Sequence, residues 1–307
     1  MNQPLVSIRC LAYNHEKYIR KCLDSIVMQK TNFAFEVIVH DDASSDNTAN
    51  IIRDYAAKYP EKIVPVIEDE NVFSKHDGSL RRIMDSYCRG EFIATCECDD
   101  YWVDPYKLQK QVDFLLNNPD YFAVAHRCIV VGEDNELLEE EYPDCKKQEY
   151  SIEDFANDIY PGQTASLVHR NLNANNIDLW LINKNLYPAD RIRIFTYLCH
   201  GKIRCFSEKM SAYRHILSHG ASFSATHKYS FENERIMTEA MVTYSKHFSN
   251  KSIQIYANLM WLLCIRKAWQ KHVISCIDFI KYLKFLDFKI FVLFLLFKRD
   301  MLKLLNK

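Results

Sequence analysis

The sequence predicts an α/β protein: a mostly parallel sheet flanked by helices over residues 1–225, followed by a basic, amphipathic helical region over 226–307. Two observations predict it. In the first part, short apolar and β-branched runs alternate with segments whose apolar residues recur every three to four positions. Strand alternating with helix implies a mostly parallel sheet covered on both faces. After about residue 226 only the helical period remains.

The elements follow in order. Leu5 to Leu11 is apolar and β-branched and ends at the turn-prone Tyr13-Asn14-His15. From Tyr18 the apolar positions are 18/19, 22/23 and 26/27, one stripe of a helix. Phe35 to Val39 is a continuous apolar run, as in a strand buried on both faces. Asp46 is placed to cap a helix carrying Ile51, Ile52, Tyr55 and Ala56. Ile63 to Ile67 and Phe92 to Thr95 are two further strands. Asp104-Pro105 sets a cap and a first-turn proline before Leu108, Val112, Leu115 and Leu116. Residues 132–163, with the acidic run Glu139-Glu140-Glu141, read as a solvated loop or short insertion. Thr164 to His169 reads as a strand, and Asp190 to His200 as a helix stopped by Gly201.

Composition narrows the function classes. With 307 residues, 48% hydrophobic and 26% charged, the chain is an ordinary globular protein of one large or two smaller domains. Lys+Arg 39 against Asp+Glu 40 gives a net charge of -1, which argues against a general nucleic-acid binder. The 6 glycines allow neither a P-loop nor a G-x-G-x-x-G fingerprint. The 11 cysteines are odd in number and no signal-peptide pattern precedes them, so a reducing cytoplasm is expected and a disulfide framework is not. Cys96-x-Cys98 alone is a weak zinc signal and reads as a pair of buried strand cysteines.

Three carboxylate groups stand at predicted element ends, where open α/β sheets bind ligands. The first is Asp41-Asp42-Ala43-Ser44-Ser45-Asp46. Asp46 or Ser45 alone satisfies the next helix as a cap, which leaves Asp41 and Asp42 without a structural job. The second is Glu97-Cys98-Asp99-Asp100, three carboxylates in four residues. They repel one another, and a hard divalent cation relieves that repulsion while leaving positions for phosphate oxygens. Tyr101 and Trp102 are placed to wall this site. The third is Asp190, at the start of its helix, read either as an N-cap or as a general base.

In this order the residues resemble the family 2 glycosyltransferases, which have the Rossmann-like GT-A fold. The resemblance covers about residues 4–222. Its pieces are Val6-Ser7-Ile8 with Ala12-Tyr13-Asn14, Glu36 to Val39 with Asp41 to Thr48, Gly90 to Ala94, Glu97 to Asp100, Asp190, and Met210 to His215. It implies that Ala12, Tyr13, Asn14, Asp41, Asp42, Glu97 and Asp99 bind a nucleotide-sugar, with Tyr13 on the base and Asp42 on the uracil or ribose. Asp99 and Asp100 match the metal-binding aspartates of the D-x-D motif, Glu97 replacing its first aspartate, and Asp190 matches the catalytic base. His219, or alternatively His215, would complete a site for Mn²⁺ or Mg²⁺. The implied reaction is an inverting transfer from a nucleotide-diphospho-sugar, such as a UDP-sugar, to a hydroxyl of a cell-surface glycan or lipid-linked acceptor. A cation neutralises the leaving diphosphate, and one carboxylate takes the acceptor proton. The rival reading is a non-catalytic nucleotide-sugar-binding or scaffold protein on the same fold.

Charge divides the chain. Residues 1–250 hold 28 Lys/Arg and 37 Asp/Glu, whereas 251–307 hold 11 and 3, a balance of -9 against +8. The apolar run Phe285 to Phe297 has an uncharged core, Ile290 to Phe297, too short to span a bilayer. Asp278, Lys281, Lys284 and Asp287 recur every three residues and predict a polar stripe along one helix. The expectation is peripheral contact of 252–307 with the inner face of the cell membrane. The alternative is packing on the catalytic domain or on a second subunit of a homo-oligomer.

Overall fold

The computed structural model describes residues 3–139, 142, 145–161, 163–186, 188–215 and 230–305. Contacts divide the chain into two units. The first comprises Met1–Glu149, Tyr160–Leu179 and Gly201–Thr226, and the second comprises Tyr150–Ile159, Trp180–His200 and His227–Lys307. The helical part thus takes in two segments that a cut near residue 225 leaves with the sheet.

The first unit is built on a mixed sheet. Its strands are β1 (Val6–Ala12), β2 (Phe35–Asp41), β3 (Ile63–Ile67), β4 (Phe92–Thr95), β5 (Tyr101–Trp102), β6 (Tyr121–Val131), β7 (Glu149–Tyr150), β8 (Val168–Arg170) and β9 (Lys202–Arg214). The order is β3-β2-β1-β4-β8-β6-β9-β5, with β7 paired to β9. The β3-β2-β1-β4 half is wholly parallel. β8 runs antiparallel to both β4 and β6, while β6 and β9 are parallel. Helices α1 (Ile19–Val27), α2 (Thr48–Lys58), α3 (Ser79–Tyr87) and α4 (Lys107–Asn117) connect these strands. The core is formed by Val6, Ile8, Val37, Val39, Phe92 and Ala94 on the strands with Leu23, Ile52, Leu108 and Val112 on the helices. Gly90 lies so close to β1 that a Cβ there would stand 2.5 Å from the Ser7 amide nitrogen.

Details of the expected elements shift. The α2 cap position is Asn47 rather than Asp46, although Asp46 Oδ1 still accepts from the Thr48 N–H at 2.9 Å. Helix α4 begins two residues beyond Asp104-Pro105. Thr164–Ser166 is a 3-10 turn, and the strand is confined to Val168–Arg170.

The second unit holds α5 (Ile152–Ala156), α6 (Trp180–Asn183), α7 (Ala189–His200), α8 (Phe231–Ser245), α9 (Lys251–Gln270), α10 (Cys276–Leu283) and α11 (Lys289–Leu305). Ser230, Asn250 and Ser275 cap α8, α9 and α10 through their side-chain oxygens. α9 supplies much of the core with Ile253, Ala257, Leu259, Trp261, Leu262 and Ile265. The predicted single polar stripe is not one helix. Asp278 and Lys281 lie on α10, Lys284 is its C-cap, and Asp287 sits in the turn before α11, ion-paired to Lys246 at 2.9 Å. Phe288, with φ of 52°, turns the chain there. Among the described residues no helix is long and apolar enough to cross a membrane.

The cysteines divide as well. Cys10, Cys22, Cys96 and Cys98 are fully buried together in the first unit's core, and the C-x-C pair is structural. Burial pushes the Cys10 and Cys96 thiols well up, so they are inert neutral groups. Cys145 and Cys205 form a disulfide, a pairing not expected for a chain kept wholly reduced.

Candidate functional site

Parallel pairing brings three loops together. Ala12 at the end of β1 stands opposite Asp41 at the end of β2. Beyond β4 the ladder continues as the Cys96 and Cys98 N–H groups donate to Arg9 and Leu11 carbonyls, each at 3.0 Å. Residues 12–14, 41–46 and 97–100 therefore meet at one sheet edge, the carboxyl ends of the strands.

The 12–14 and 41–46 loops are locked to each other. Asn14 and Ala43 both take left-handed backbone, at φ of 56° and 61°. Asparagine tolerates this conformation, whereas alanine is held in it by its surroundings. The Asn14 N–H donates to Ser44 Oγ at 2.8 Å, and the Ser45 N–H donates to Asn14 Oδ1 at 2.9 Å. Tyr13 remains 49% exposed, so its ring is available to a planar ligand.

Asp41 and Asp42 do have structural jobs, contrary to expectation. Both are buried. Asp41 accepts from the Ser44 N–H at 3.2 Å and from its hydroxyl at 2.5 Å. Asp42 Oδ1 accepts from the Val72 N–H at 2.7 Å and its Oδ2 from the Phe73 N–H at 3.1 Å. It thereby fastens the 3-10 turn Phe73–Lys75 to the end of β2. Sequence distance hides the partners of Asp42, which lie about thirty residues away.

The second acidic group converges in space. Glu97, Asp99 and Asp100 each present a carboxylate oxygen, all within 4.8 Å of one another. Glu97 is exposed, Asp99 half-buried and Asp100 buried. Burial, then the neighbouring Asp99 and Glu97 charges, push the Asp100 carboxyl well above the usual range. The nearby Tyr213 hydroxyl is pushed up to about 12 by burial and by the same three carboxylates. Three oxygen donors of like charge at this separation fit a hard divalent cation.

The environment of this group was only partly readable. Arg214 N–H and Gln163 Nε2 donate to the two oxygens of Asp100, and Ser211 Oγ donates to Gln163 Oε1. Arg214 and Ser211 lie in the Met210 to His215 motif, but no sequence signal marks Gln163. Trp102 is not a wall of the site. It is 1% exposed, its Nε1 donates to the Ala165 carbonyl at 3.1 Å, and Lys107 Nζ sits 4.1 Å from the centre of its ring. His215 follows β9, and its N–H donates to the Val131 carbonyl at 2.8 Å. His219 lies outside the described residues. In the second unit Asp190 occupies the first turn of α7, its side chain 62% exposed and 3.3 Å from Arg193.

Comparison with known proteins accords with these features. A family model described as Glycosyl transferase family 2 matches residues 7–175. The uncharacterized protein Rv1520 of Mycobacterium tuberculosis is 36% identical over 220 residues, 72% of this chain and 61% of that protein. The chain thus spans about three fifths of that relative's length. The uncharacterized glycosyltransferase MJ1057 of Methanocaldococcus jannaschii is 29% identical over 145 residues, 47% of this chain and 48% of that one. Among solved structures, S. aureus TarS 1-349 in complex with UDP superimposes with a TM-score of 0.62 at 17% identity, covering 86% of this chain and 72% of that chain. That likeness is one of fold, and the fold is of the GT-A type.

Proposed function

Because the chain belongs to glycosyl transferase family 2, we propose that it is an inverting hexosyltransferase that uses a nucleotide-diphospho-sugar, a UDP-sugar in the first instance. The observation that carries this is the convergence of the exposed Tyr13 loop and the Glu97, Asp99 and Asp100 carboxylates at one sheet edge. Tyr13 stacks on the base, and the Ala12 to Asn14 backbone shapes the cleft. Asp41 and Asp42 act through the loops they hold rather than as bare ligands. Glu97 and Asp99 are the residues that would hold Mn²⁺ or Mg²⁺, which supplies charge neutralisation for the departing diphosphate.

In the transfer, an acceptor hydroxyl oxygen bonds to the anomeric carbon as the carbon–oxygen bond to the diphosphate breaks. The hydroxyl proton passes to a carboxylate, for which we propose Asp190. A single in-line displacement inverts the anomeric centre. The acceptor is a hydroxyl of a cell-surface glycan or a lipid-linked sugar. The test is a screen of nucleotide-sugars with Mn²⁺ and Mg²⁺ for release of nucleoside diphosphate. One or more donors should be turned over, and a chain inert to every donor and acceptor offered would favour a binding or scaffold role.

We place the protein on the inner face of the membrane through α10 and α11. Ile277, Ile280, Ile290, Phe291, Phe294 and Phe297 are each at least 60% exposed, while Lys281, Lys284 and Lys289 lie among them in sequence and Lys298 directly follows. Apolar bulk with interspersed lysine suits a helix lying in an anionic interface. Vesicles containing anionic lipid should sediment the full chain at low salt but not a chain ending near Asn250. A full chain left in the supernatant would reject the membrane contact.

A further inference from the structure

We propose that Asp100 is a positioning residue, and that Gln163, Ser211 and Arg214 form with it a buried clamp aiming the Asp99 and Glu97 carboxylates at the cation. This deepens the metal-dependent reading above and rests on it. Sequence alone makes Asp99 and Asp100 equivalent, adjacent aspartates in one motif. The structure separates them. Asp100 Oδ1 accepts from the Arg214 backbone N–H at 2.8 Å, and Oδ2 accepts from Gln163 Nε2 at 3.1 Å. Gln163 is oriented in turn by Ser211 Oγ, which donates to its Oε1 at 2.9 Å. Asp100, Gln163, Ser211 and Arg214 are all 3% exposed or less. Both Asp100 oxygens are thus already engaged by buried donors, while Asp99 and Glu97 reach solvent.

The Arg214 side chain fixes the loop from its other side. Its Nε donates to the Asp99 carbonyl at 2.8 Å, so the same residue holds the backbone of Asp99 and the side chain of Asp100. Nη1 donates to the Gly132 carbonyl at 2.6 Å and Nη2 to Asn135 Oδ1 at 2.8 Å, tying the loop to the turn after β6. Its guanidinium also lies 4.4 Å from the centre of the Tyr18 ring. A partner that orients a ligating carboxylate typically contributes 10–100-fold to metal affinity. The clamp therefore sets affinity without touching the ion.

Exchanging the polarity of one hydrogen bond separates the two roles. In the double variant Asp100→Asn with Gln163→Glu, the carboxylate crosses to position 163. The new amide nitrogen at position 100 then donates to that carboxylate, whose other oxygen still accepts from Ser211. The amide oxygen at position 100 still accepts from the Arg214 N–H. Mn²⁺ binding by the full chain is followed through the electron-spin-resonance signal of free Mn²⁺, which needs neither donor nor acceptor. Asp99→Asn should abolish binding, whereas the double variant should bind within about 3-fold of wild type. Gln163→Met, which keeps shape but strands the Asp100 oxygen and the Ser211 hydroxyl, should lower the melting temperature and weaken binding by the folded chain about 10-fold. A double variant as weak as Asp99→Asn would make Asp100 a ligand and overturn the proposal, and so would unchanged binding by Gln163→Met. If the wild-type chain binds no Mn²⁺, the metal reading itself falls and the clamp with it. If it does bind, but no sugar is transferred, the clamp stands and only the proposed reaction falls.

Discussion

The two acidic loops at the strand ends look alike in sequence and differ in what their carboxylates face. In the loop after β2, Asp41 and Asp42 point into protein and accept from Ser44, Val72 and Phe73. In the loop after β4, Asp100 is buried and accepts from the Arg214 N–H and Gln163, whereas Asp99 is half-buried and Glu97 exposed, with a carboxylate oxygen of each within 4.8 Å of Asp100 and of each other. Adjacent aspartates thus divide by partner rather than by type. A carboxylate that accepts backbone N–H groups is a fastener, and one left among like charges is a candidate ligand.

The largest expected effect lies outside both loops and tests whether Asp190, exposed in the first turn of its helix rather than at the cap, is more than a favourable first-turn charge. Asp190→Asn should lower turnover by ~10²–10⁴ while leaving Mn²⁺ binding and melting temperature unchanged. A near-normal rate would put the base elsewhere. Next comes the fastener. Asp42→Ala strands the buried Val72 amide, at about 1–3 kcal/mol, and removes the outer tie to the Phe73 amide. Thermal melting should report this, and an unchanged melting temperature would show that the loop does not need its carboxylate.

A further effect comes from a buried lysine whose burial outweighs the carboxylate facing it. Lys107 is fully buried, its Nζ has no hydrogen-bond partner among the described residues, and burial lowers it to about 7. The Cys96 thiol, the Asp104 carboxylate and the His126 imidazole face it. Between about pH 7 and the usual lysine value of 10.5 the unfolded chain holds the extra proton, so stability should rise with pH in that window. Lys107 should contribute up to ~1.4 kcal/mol per pH unit to the slope, a contribution absent in Lys107→Met, with the full penalty present below pH ~7. Denaturant melts across pH check this, and equal slopes for the two proteins would contradict it.

Much of this is legible in the sequence. The parallel half of the sheet announces itself because strands buried on both faces carry short apolar runs, as at Val37 to Val39 within Phe35–Asp41. The two longest strands, Tyr121–Val131 and Lys202–Arg214, do not. β9 carries Lys202, Arg204, Glu208 and Lys209 among its buried positions, which breaks any simple apolar run. The acidic cluster is visible because its members lie within four residues. Gln163 and Val72 are invisible as partners because sixty-three and thirty residues of chain separate them from Asp100 and Asp42. The polar stripe fails for a local reason, since period alone cannot show the turn at Phe288.

Asp99 is the carboxylate proposed to make donor turnover depend on a cation. The most direct measurement is nucleoside diphosphate release from the donor identified by screening, with Mn²⁺ present or chelated, for wild type and for Asp99→Asn. The account predicts that wild type loses turnover in chelator and recovers it with added Mn²⁺. It also predicts that Asp99→Asn stays ~10³-fold slower at every Mn²⁺ concentration, the scale of several kcal/mol of lost charge stabilisation. Full wild-type activity in chelator, or an Asp99→Asn variant as fast as wild type, would contradict it.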